Sequence, residues 1–245
     1  MSSETRAGDV SAERPLTLVV VDAGVSDPSS SRLLADRIAH RAVTALGEQG
    51  RTATTRSIAL GPLAVDIARA IVSGHPGESL RPAIGELAAA DGVIISTPVY
   101  TAGVSGLFKS FFDVLDDDLV VAKPVLLAAT AGSPRHALVV EDQVRPMFAY
   151  LRALSVPTSV FAAPEDWGAS ALGDRIGRAA VELAALMASG VGDAIADRAW
   201  SGYRHRFDGN ATRAEHSAAE VDFDTPLMRL AAGGAPLRKD ASSGS

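Results

Sequence analysis

Four serines within six residues near the start of the chain form a cluster suited to binding a phosphate group. A helical pattern follows them, so backbone N–H groups and the positive end of the helix dipole would join their hydroxyls around an anion. The residues are Ser26, Ser29, Ser30 and Ser31, followed directly by the cation of Arg32. Serine also favours helix caps and turns, which is the competing interpretation. Four hydroxyls exceed what one cap requires, and this favours the phosphate site.

Two further loops combine small and polar residues with a position directly after an apolar run. In the first, Pro98, Val99, Tyr100 and Thr101 follow a branched apolar segment, and Tyr100 would either lie along a planar ring or sit half-buried at a sheet edge. The second contains Thr130, Ala131, Gly132 and Ser133. Its small residues let backbone N–H groups approach a ligand closely, although an ordinary strand–helix turn explains the same residues.

Several common catalytic and nucleotide-binding motifs are absent from the sequence. It has no Gly-x-Gly-x-x-Gly fingerprint and no P-loop, so a single phosphate held by hydroxyls suits a mononucleotide better than ATP. Ser133 and His136 are close in sequence, but no nucleophile elbow or acidic partner accompanies them. There are no cysteines, and the five histidines lack metal-ligand spacing. We therefore predict no serine–histidine nucleophile pair and no metal site.

Alternating strand and helix patterns must position these loops. The sequence predicts five strands: Leu16–Asp22, one within 52–60, one at about 93–97, Pro124–Thr130, and 158–163. Helices are expected at about 33–46, 61–91, 107–115, from after His136 to about 154, and at 173–188, the second broken by Gly74, Pro76 and Pro82. Five such repeats predict a doubly wound α/β fold of the flavodoxin-like type, with a parallel sheet in the order 2-1-3-4-5. The polar loops then follow three neighbouring strands.

Composition sets the expected domain organisation. The chain has 245 residues, 47% of them hydrophobic, and a formal net charge of −6, which gives no electrostatic reason to expect nucleic acid or an anionic membrane as partner. We expect residues 1–14 to be a disordered leader, 15–190 the α/β domain, and 191–245 a C-terminal extension whose last ten or so residues are disordered. No apolar run reaches membrane-spanning length, and we expect a soluble cytoplasmic protein.

One sequence pattern resembles a known family. Ser96-Thr-Pro-Val-Tyr-x-x-x-x-Ser-Gly-x-x-Lys109 and Ala129-Thr-Ala-Gly-Ser-Pro-x-His136 are similar to the signature of the NAD(P)H-dependent FMN reductases. The similarity covers roughly 16–187. It implies a flavodoxin-like enzyme that supplies reduced flavin to a two-component monooxygenase. The segment Phe223-Asp-Thr-Pro-Leu-Met-Arg-Leu-Ala resembles the branch partnered with luciferase-like monooxygenases.

The resemblance also implies roles for individual residues. The FMN phosphate would be held by Ser26, Ser29, Ser30, Ser31 and Arg32, and the isoalloxazine would be bordered by Pro98, Val99, Tyr100 and Thr101 on one edge and Thr130, Ala131, Gly132 and Ser133 on the other. NADPH or NADH would donate the hydride, with Arg135 as a contact for the pyridine nucleotide phosphate. Homodimers or homotetramers are expected through the helix after the third strand, which carries Phe108, Phe111 and Phe112; a core-facing stripe explains these rings equally well.

One departure from the family leaves the role of the flavin open. Alkanesulfonate-linked members have a tyrosine inserted in the helix after the fourth strand, where this chain has Glu141, Asp142 and Gln143. A flavin-exchanging reductase is the favoured interpretation. The alternatives are a reductase of quinones, azo compounds or metal ions with firmly bound FMN, and a non-enzymatic flavin-binding interaction module.

Overall fold

A computed structural model describes residues 14–199 of the chain. The predicted leader lies outside the described residues except for Arg14, and the predicted extension does so beyond residue 199. The strands are β1 (Leu16–Asp22), β2 (Ala53–Ala59), β3 (Gly92–Tyr100), β4 (Gly103–Val104), β5 (Pro124–Thr130), β6 (Leu154–Ser155) and β7 (Val160–Ala162). The helices are α1 (Ser30–Glu48), α2 (Ala64–Ser73), α3 (Arg81–Ala88), α4 (Gly106–Asp113), α5 (Arg145–Tyr150), α6 (Ser170–Ala188) and α7 (Val191–Ala199).

The parallel sheet has the order β2-β1-β3-β5, with β6 and β7 both paired to the outer edge of β5. This confirms the flavodoxin-like order, although the sheet has seven strands rather than the expected five. The predicted fifth strand is one of the differences. The segment predicted at 158–163 forms only the three-residue strand β7, and the separate strand β6 precedes it on the other side of Pro157.

The third strand is longer than its sequence indicates. We expected it to stop at Thr97 and Pro98, but β3 continues to Tyr100 and turns into the two-residue antiparallel strand β4. Pro98 is tolerated because it lies at the end of the ladder, where its carbonyl oxygen accepts a hydrogen bond from the Ser105 amide at 3.1 Å. The buried Thr97 hydroxyl also accepts from that amide, at 3.2 Å, and fixes the corner leading to α4.

Two helix boundaries differ from the expected ones. Pro82 was expected to interrupt a helix, but it lies in the first turn of α3, where its missing N–H is no loss. The helix expected to run to about residue 154 ends at Tyr150. It is preceded by a 3₁₀ turn at Pro134–His136 and a π-helical turn at Val140–Val144. Gly74 does end α2, with a left-handed backbone (φ 76°).

Apolar side chains cover both faces of the sheet. On one face, α2 to α5 pack over β1, β3 and β5, and the rings of Phe108, Phe112 and Phe148 contact each other with centroids 4.9 and 5.0 Å apart. On the other face, α1 and α6 pack closely through alanines. Phe108, Phe111 and Phe112 are all buried within this chain, so their apolar stripe faces the core and supplies no subunit contact.

Charged groups gather at the amino ends of the strands. Lys123 is buried, and its ammonium donates to the carbonyls of Ala88 and Ala90 at 2.7 and 2.8 Å. Asp91 accepts from the Thr17 amide and is paired with Arg14. Burial by itself would raise the pKa of Asp91, but the hydrogen bonds from Arg14 and Thr17 and the nearby positive charges lower it. This edge of the sheet is thus held by ionic contacts.

Helix α7 lies in the segment that we assigned to the C-terminal extension. Its Gly192 approaches β5 so closely that an added Cβ would lie 2.6 Å from the Ala122 carbonyl oxygen. Within residues 14–199, no single helix is both long and apolar enough to cross a membrane. Only α6 and α7 taken together meet the two criteria, and they are bent by 49° between them.

Candidate functional site

Hydroxyl groups link the carboxyl ends of β1, β3 and β5 at the opposite edge of the sheet. The Ser31 and Thr130 hydroxyls lie 2.7 Å apart, and the Ser96 hydroxyl donates to the Ser31 carbonyl oxygen at 2.9 Å. All three side chains are buried. The structure therefore brings the start of the serine cluster's helix against the loop after β5, as parallel strands require and as the sequence predicted.

The serines of the cluster do different things. Ser29 is the N-cap of α1, and its hydroxyl accepts from the Arg32 amide at 3.2 Å, so the capping interpretation is confirmed for this residue. Ser30 lies next to the site, with its hydroxyl 3.5 Å from that of Thr130. Ser26 is exposed in the preceding loop, and the exposed Arg32 guanidinium is 3.9 Å from Asp36. The cluster thus offers hydroxyls and a helix N-terminus, but little net positive charge.

Asp22 lies at the end of β1 beside this loop, and no sequence pattern singled it out. Its side chain is buried, and one carboxylate oxygen accepts from the Gly24 amide at 3.0 Å. Burial raises the pKa of Asp22; the Gly24 hydrogen bond and the charge of Arg32 oppose that change only in part. Gly24 itself has no space for a side chain, since an added Cβ would lie 1.9 Å from the Ser29 hydroxyl oxygen.

The loop after β3 is a two-residue hairpin with an unfavourable sequence. Thr101 and Ala102 have φ angles of 48° and 61°, and neither is the glycine or asparagine that such turns favour. Each left-handed non-glycine residue costs on the order of 1 kcal/mol. Tyr100 is the last residue of β3 and is 52% exposed, so the structure places it about half-buried at the edge of the sheet, as one of the two interpretations expected. Its ring is therefore available at the surface of the site.

Gln143 holds this hairpin from the π-helical turn. Its side-chain amide donates to the Ala102 carbonyl oxygen at 3.2 Å, and its side-chain carbonyl accepts from the Val104 amide at 3.1 Å. Sequence reasoning noted Gln143 only as a position without an aromatic ring. No local pattern predicts this contact, because it joins segments about forty residues apart.

The loop after β5 contains an unused polar atom. Among residues 14–199, the Ser133 hydroxyl is buried without a hydrogen-bond partner, which is expected of a group that meets a ligand. His136 instead accepts a hydrogen bond from the Arg135 guanidinium at 3.1 Å, so Ser133 and His136 do not form a nucleophile–base pair. Gly132 has open space around it. That Thr130 to Ser133 border a flavin ring, as the family resemblance implies, stays a prediction, with which the Ser133 hydroxyl and the space at Gly132 are compatible.

The arrangement can bind and orient a ligand and exclude water from it. The described residues of the site form no acid–base pair for proton transfer. Neutral donors predominate at the ends of β1, β3 and β5, and a helix N-terminus faces the serine cluster. Among the described residues, no cluster of three or more histidine, aspartate or glutamate side chains could hold a metal ion. The family resemblance implies that bound cofactors rather than side chains carry the chemistry here, and this stays a prediction.

A parallel sheet in this order, with polar loops after β1, β3 and β5 at its switch point, defines a flavodoxin-like α/β protein. The model of the NADPH-dependent FMN reductase family matches residues 16–168. The chain belongs to this family. It is therefore an oxidoreductase that uses NAD(P)H and FMN.

Similar proteins agree with the family assignment. The chain is 37% identical over 148 residues to the NADH-dependent FMN reductase SfnE of Pseudomonas putida, a match covering 60% of this chain and 77% of that protein. It is 31% identical over 181 residues to the NADH-dependent FMN reductase SfnF of Pseudomonas fluorescens, covering 72% and 91%. A solved oxidoreductase from Corynebacterium diphtheriae has 42% identity and a TM-score of 0.70, over 71% of this chain and 98% of that one.

Proposed function

We propose that this protein reduces exchangeable FMN with NAD(P)H and releases the reduced flavin to a separate, luciferase-like monooxygenase. FMN is then a substrate rather than a permanently bound group. The proposal is carried by the exposure of the site's borders, because Tyr100, Thr101 and Gly132 are all exposed. A flavin bordered in this way can leave easily.

The residues divide the binding work between the two ends of the flavin. The hydroxyls of Ser26, Ser29, Ser30 and Ser31, with the N-terminus of α1, would hold the phosphate, and Arg32 would add charge near it. Pro98 to Thr101 and Thr130 to Ser133 would border the ring, the Ser133 hydroxyl meeting its unused hydrogen-bonding capacity there. Bound FMN would supply the acceptor for the hydride of NAD(P)H. The protein's part is stacking, orientation and exclusion of water.

The proposal extends to location and assembly. A reductase that consumes NAD(P)H needs the cytoplasmic pool of that cofactor. We expect a homodimer or homotetramer, and since the α4 phenylalanines are buried, apolar side chains elsewhere must form the contact. Val65 and Val72 on α2 are exposed and are available for it. Light scattering of the purified full-length chain measures the assembly directly.

The first experiment records the visible spectrum of the purified protein and then follows NADH and NADPH oxidation with and without added FMN. A colourless protein that turns over only with FMN supports the proposal. A yellow protein that oxidises NAD(P)H only with a quinone or azo dye would refute flavin exchange. No oxidation at any FMN concentration would contradict the enzymatic function itself.

A second experiment tests release of the reduced flavin. Bacterial luciferase with a long-chain aldehyde emits light only when reduced FMN reaches it, so it serves as a reporter monooxygenase. We expect light that depends on this protein, FMN and NAD(P)H together. Oxidation of NAD(P)H without light would show that reduced flavin stays on the reductase.

A further inference from the structure

We propose that Gln143 is a positioning residue for flavin: its side-chain amide holds the hairpin of residues 100–104 in the conformation that borders the isoalloxazine. This inference rests on the proposed function, because it concerns the ring-binding edge of the same site. It also assigns a function to the π-helical turn, which contains none of the predicted flavin-binding residues.

The hairpin requires support from outside its own sequence. Thr101 and Ala102 both have left-handed backbones, and a turn of this kind strongly favours Asn-Gly. With threonine and alanine in these positions, other turn conformations compete with the observed one. A change of turn would also move Tyr100, because that residue pairs with Gly103 across the two turn residues.

Gln143 contacts the backbone on both sides of the turn. Its amide nitrogen reaches the Ala102 carbonyl oxygen at 3.2 Å, and its amide oxygen reaches the Val104 nitrogen at 3.1 Å. A side-chain amide is suited to this task, since it supplies one donor and one acceptor in a single plane. Gly103 allows the approach, because a Cβ there would lie 3.2 Å from the Gln143 oxygen.

The π-helical turn places the Gln143 side chain. Val140 and Val144 anchor its two ends in the core, while Glu141 to Gln143 face outward between them. Glu141 is fixed in turn by Arg145 and by the Ser159 hydroxyl at 2.6 Å. The additional residue of a π turn changes the direction in which the following side chains project, and such turns are frequent at functional sites. The turn is therefore a rigid base from which Gln143 reaches the hairpin.

The test compares three variants of the full-length protein. Gln143→Met keeps the length of the side chain and removes both hydrogen bonds. Asp142→Asn is the matched control, because it changes the neighbouring side chain and leaves the Gln143 amide in place. Gln143→Met combined with Ala102→Gly replaces the external support by a residue that adopts the left-handed backbone without cost. FMN affinity is measured by titration, KM and kcat by NAD(P)H oxidation, and hairpin order by hydrogen exchange of the Val104 amide without flavin.

We expect Gln143→Met to weaken FMN binding and raise the KM for FMN about tenfold, as the loss of one or two neutral hydrogen bonds implies, with kcat unchanged. The Val104 amide should exchange faster, and Ala102→Gly should restore most of the affinity. Asp142→Asn should match the wild type. Wild-type affinity and exchange in Gln143→Met would overturn the proposal. So would weakened binding without rescue by Ala102→Gly, because Gln143 would then act by another route.

The exchange measurement separates the two proposals. If the wild-type protein neither binds nor reduces FMN, the proposed function fails whatever the hairpin does. If FMN is reduced normally and the Val104 amide exchanges at the same rate with and without the Gln143 side chain, only the positioning role fails.

Discussion

Replacing Gly24 by alanine tests the serine-cluster site most directly. A Cβ at this position would lie 1.9 Å from the Ser29 hydroxyl oxygen, 3.0 Å from the Ser29 Cβ and 3.2 Å from an Asp22 carboxylate oxygen. The first distance is far inside van der Waals contact, so the Ser29 side chain must move. Ser29 is both the N-cap of α1 and a predicted phosphate ligand. One methyl group therefore disturbs helix and site together.

The magnitude follows from the contacts that are lost. Removal of a serine N-cap costs about 1 kcal/mol, and crowding in a packed region costs roughly 1–3 kcal/mol. A Gly→Ala change also reduces the conformational entropy of the unfolded chain, which stabilises the folded state by about 0.4–1 kcal/mol. We expect Gly24→Ala to lower the free energy of unfolding by about 2 kcal/mol. For a domain of this size, the melting temperature should fall by roughly 4–8 °C.

A double-mutant cycle identifies the cause. Urea unfolding and FMN titration are measured for Gly24→Ala, Ser29→Ala and the double variant. Since Ser29→Ala removes the closest atom, Gly24→Ala should cost clearly less in its presence, and the two effects should fall short of their sum. Gly77→Ala is the control, because a Cβ there has nothing within 4 Å. Strict additivity, or unchanged FMN affinity in Gly24→Ala, would refute the reasoning.

Three further predictions concern buried polar groups. Ser31→Ala should destabilise the fold by about 1–2 kcal/mol and weaken FMN binding, because it removes the hydroxyl that lies 2.7 Å from the Thr130 hydroxyl. The control is Thr44→Ala, which removes an exposed hydroxyl of the same helix and should change neither stability nor FMN affinity in the same unfolding and binding assays. Burial raises the pKa of Asp22, so the stability gained from its protonation is full below about pH 4 and is lost as the pH rises through the folded-state pKa. Asp22→Asn should therefore lose less stability than the wild type between pH 4 and pH 8 in urea unfolding, and an equal loss would contradict this. The pKa of Asp91 is lowered, so the pH dependence of its contribution to stability has the opposite sign: the contribution is present above about pH 4 and is lost on acidification. Asp91→Asn should therefore reduce the free energy of unfolding by roughly 1–2 kcal/mol at pH 7 and by progressively less in acid, as thermal melts at neutral and acidic pH would show.

The sequence predicted those parts of the fold that depend on continuous apolar runs. β1 and β5 have the expected bounds because their residues are buried on both faces, which leaves a run without alternation. The neighbouring order of β1, β3 and β5 follows from right-handed crossovers, and with it the meeting of the polar loops. What each serine does there was not predictable, because a cap and a phosphate ligand have the same residue preference.

Features that depend on tertiary contact were missed. β3 passes through Pro98 because the ladder ends there, and sequence alone does not tell where a ladder ends. Thr101 and Ala102 both have left-handed backbones, but neither is a usual turn residue, so the sequence did not predict this hairpin. The burial of Asp22 likewise results from the packing of the loop above it. In each case, distant residues override a local preference.

The two ends of the strands have different polar groups: ionic contacts stabilise the amino edge of the sheet, and the candidate binding site lies at the carboxyl edge. At the amino edge, a buried lysine and an aspartate–arginine pair satisfy backbone groups of α3 and β1. At the carboxyl edge, neutral hydroxyls bond to one another and leave the Ser133 hydroxyl without a partner among the described residues. Beside the buried Asp22 carboxyl, the groups that meet at this second edge are hydroxyls, which can rotate to meet a ligand. The flavin exchange proposed above would rely on such rotatable hydroxyl contacts, while the ionic contacts at the amino edge keep the sheet in place.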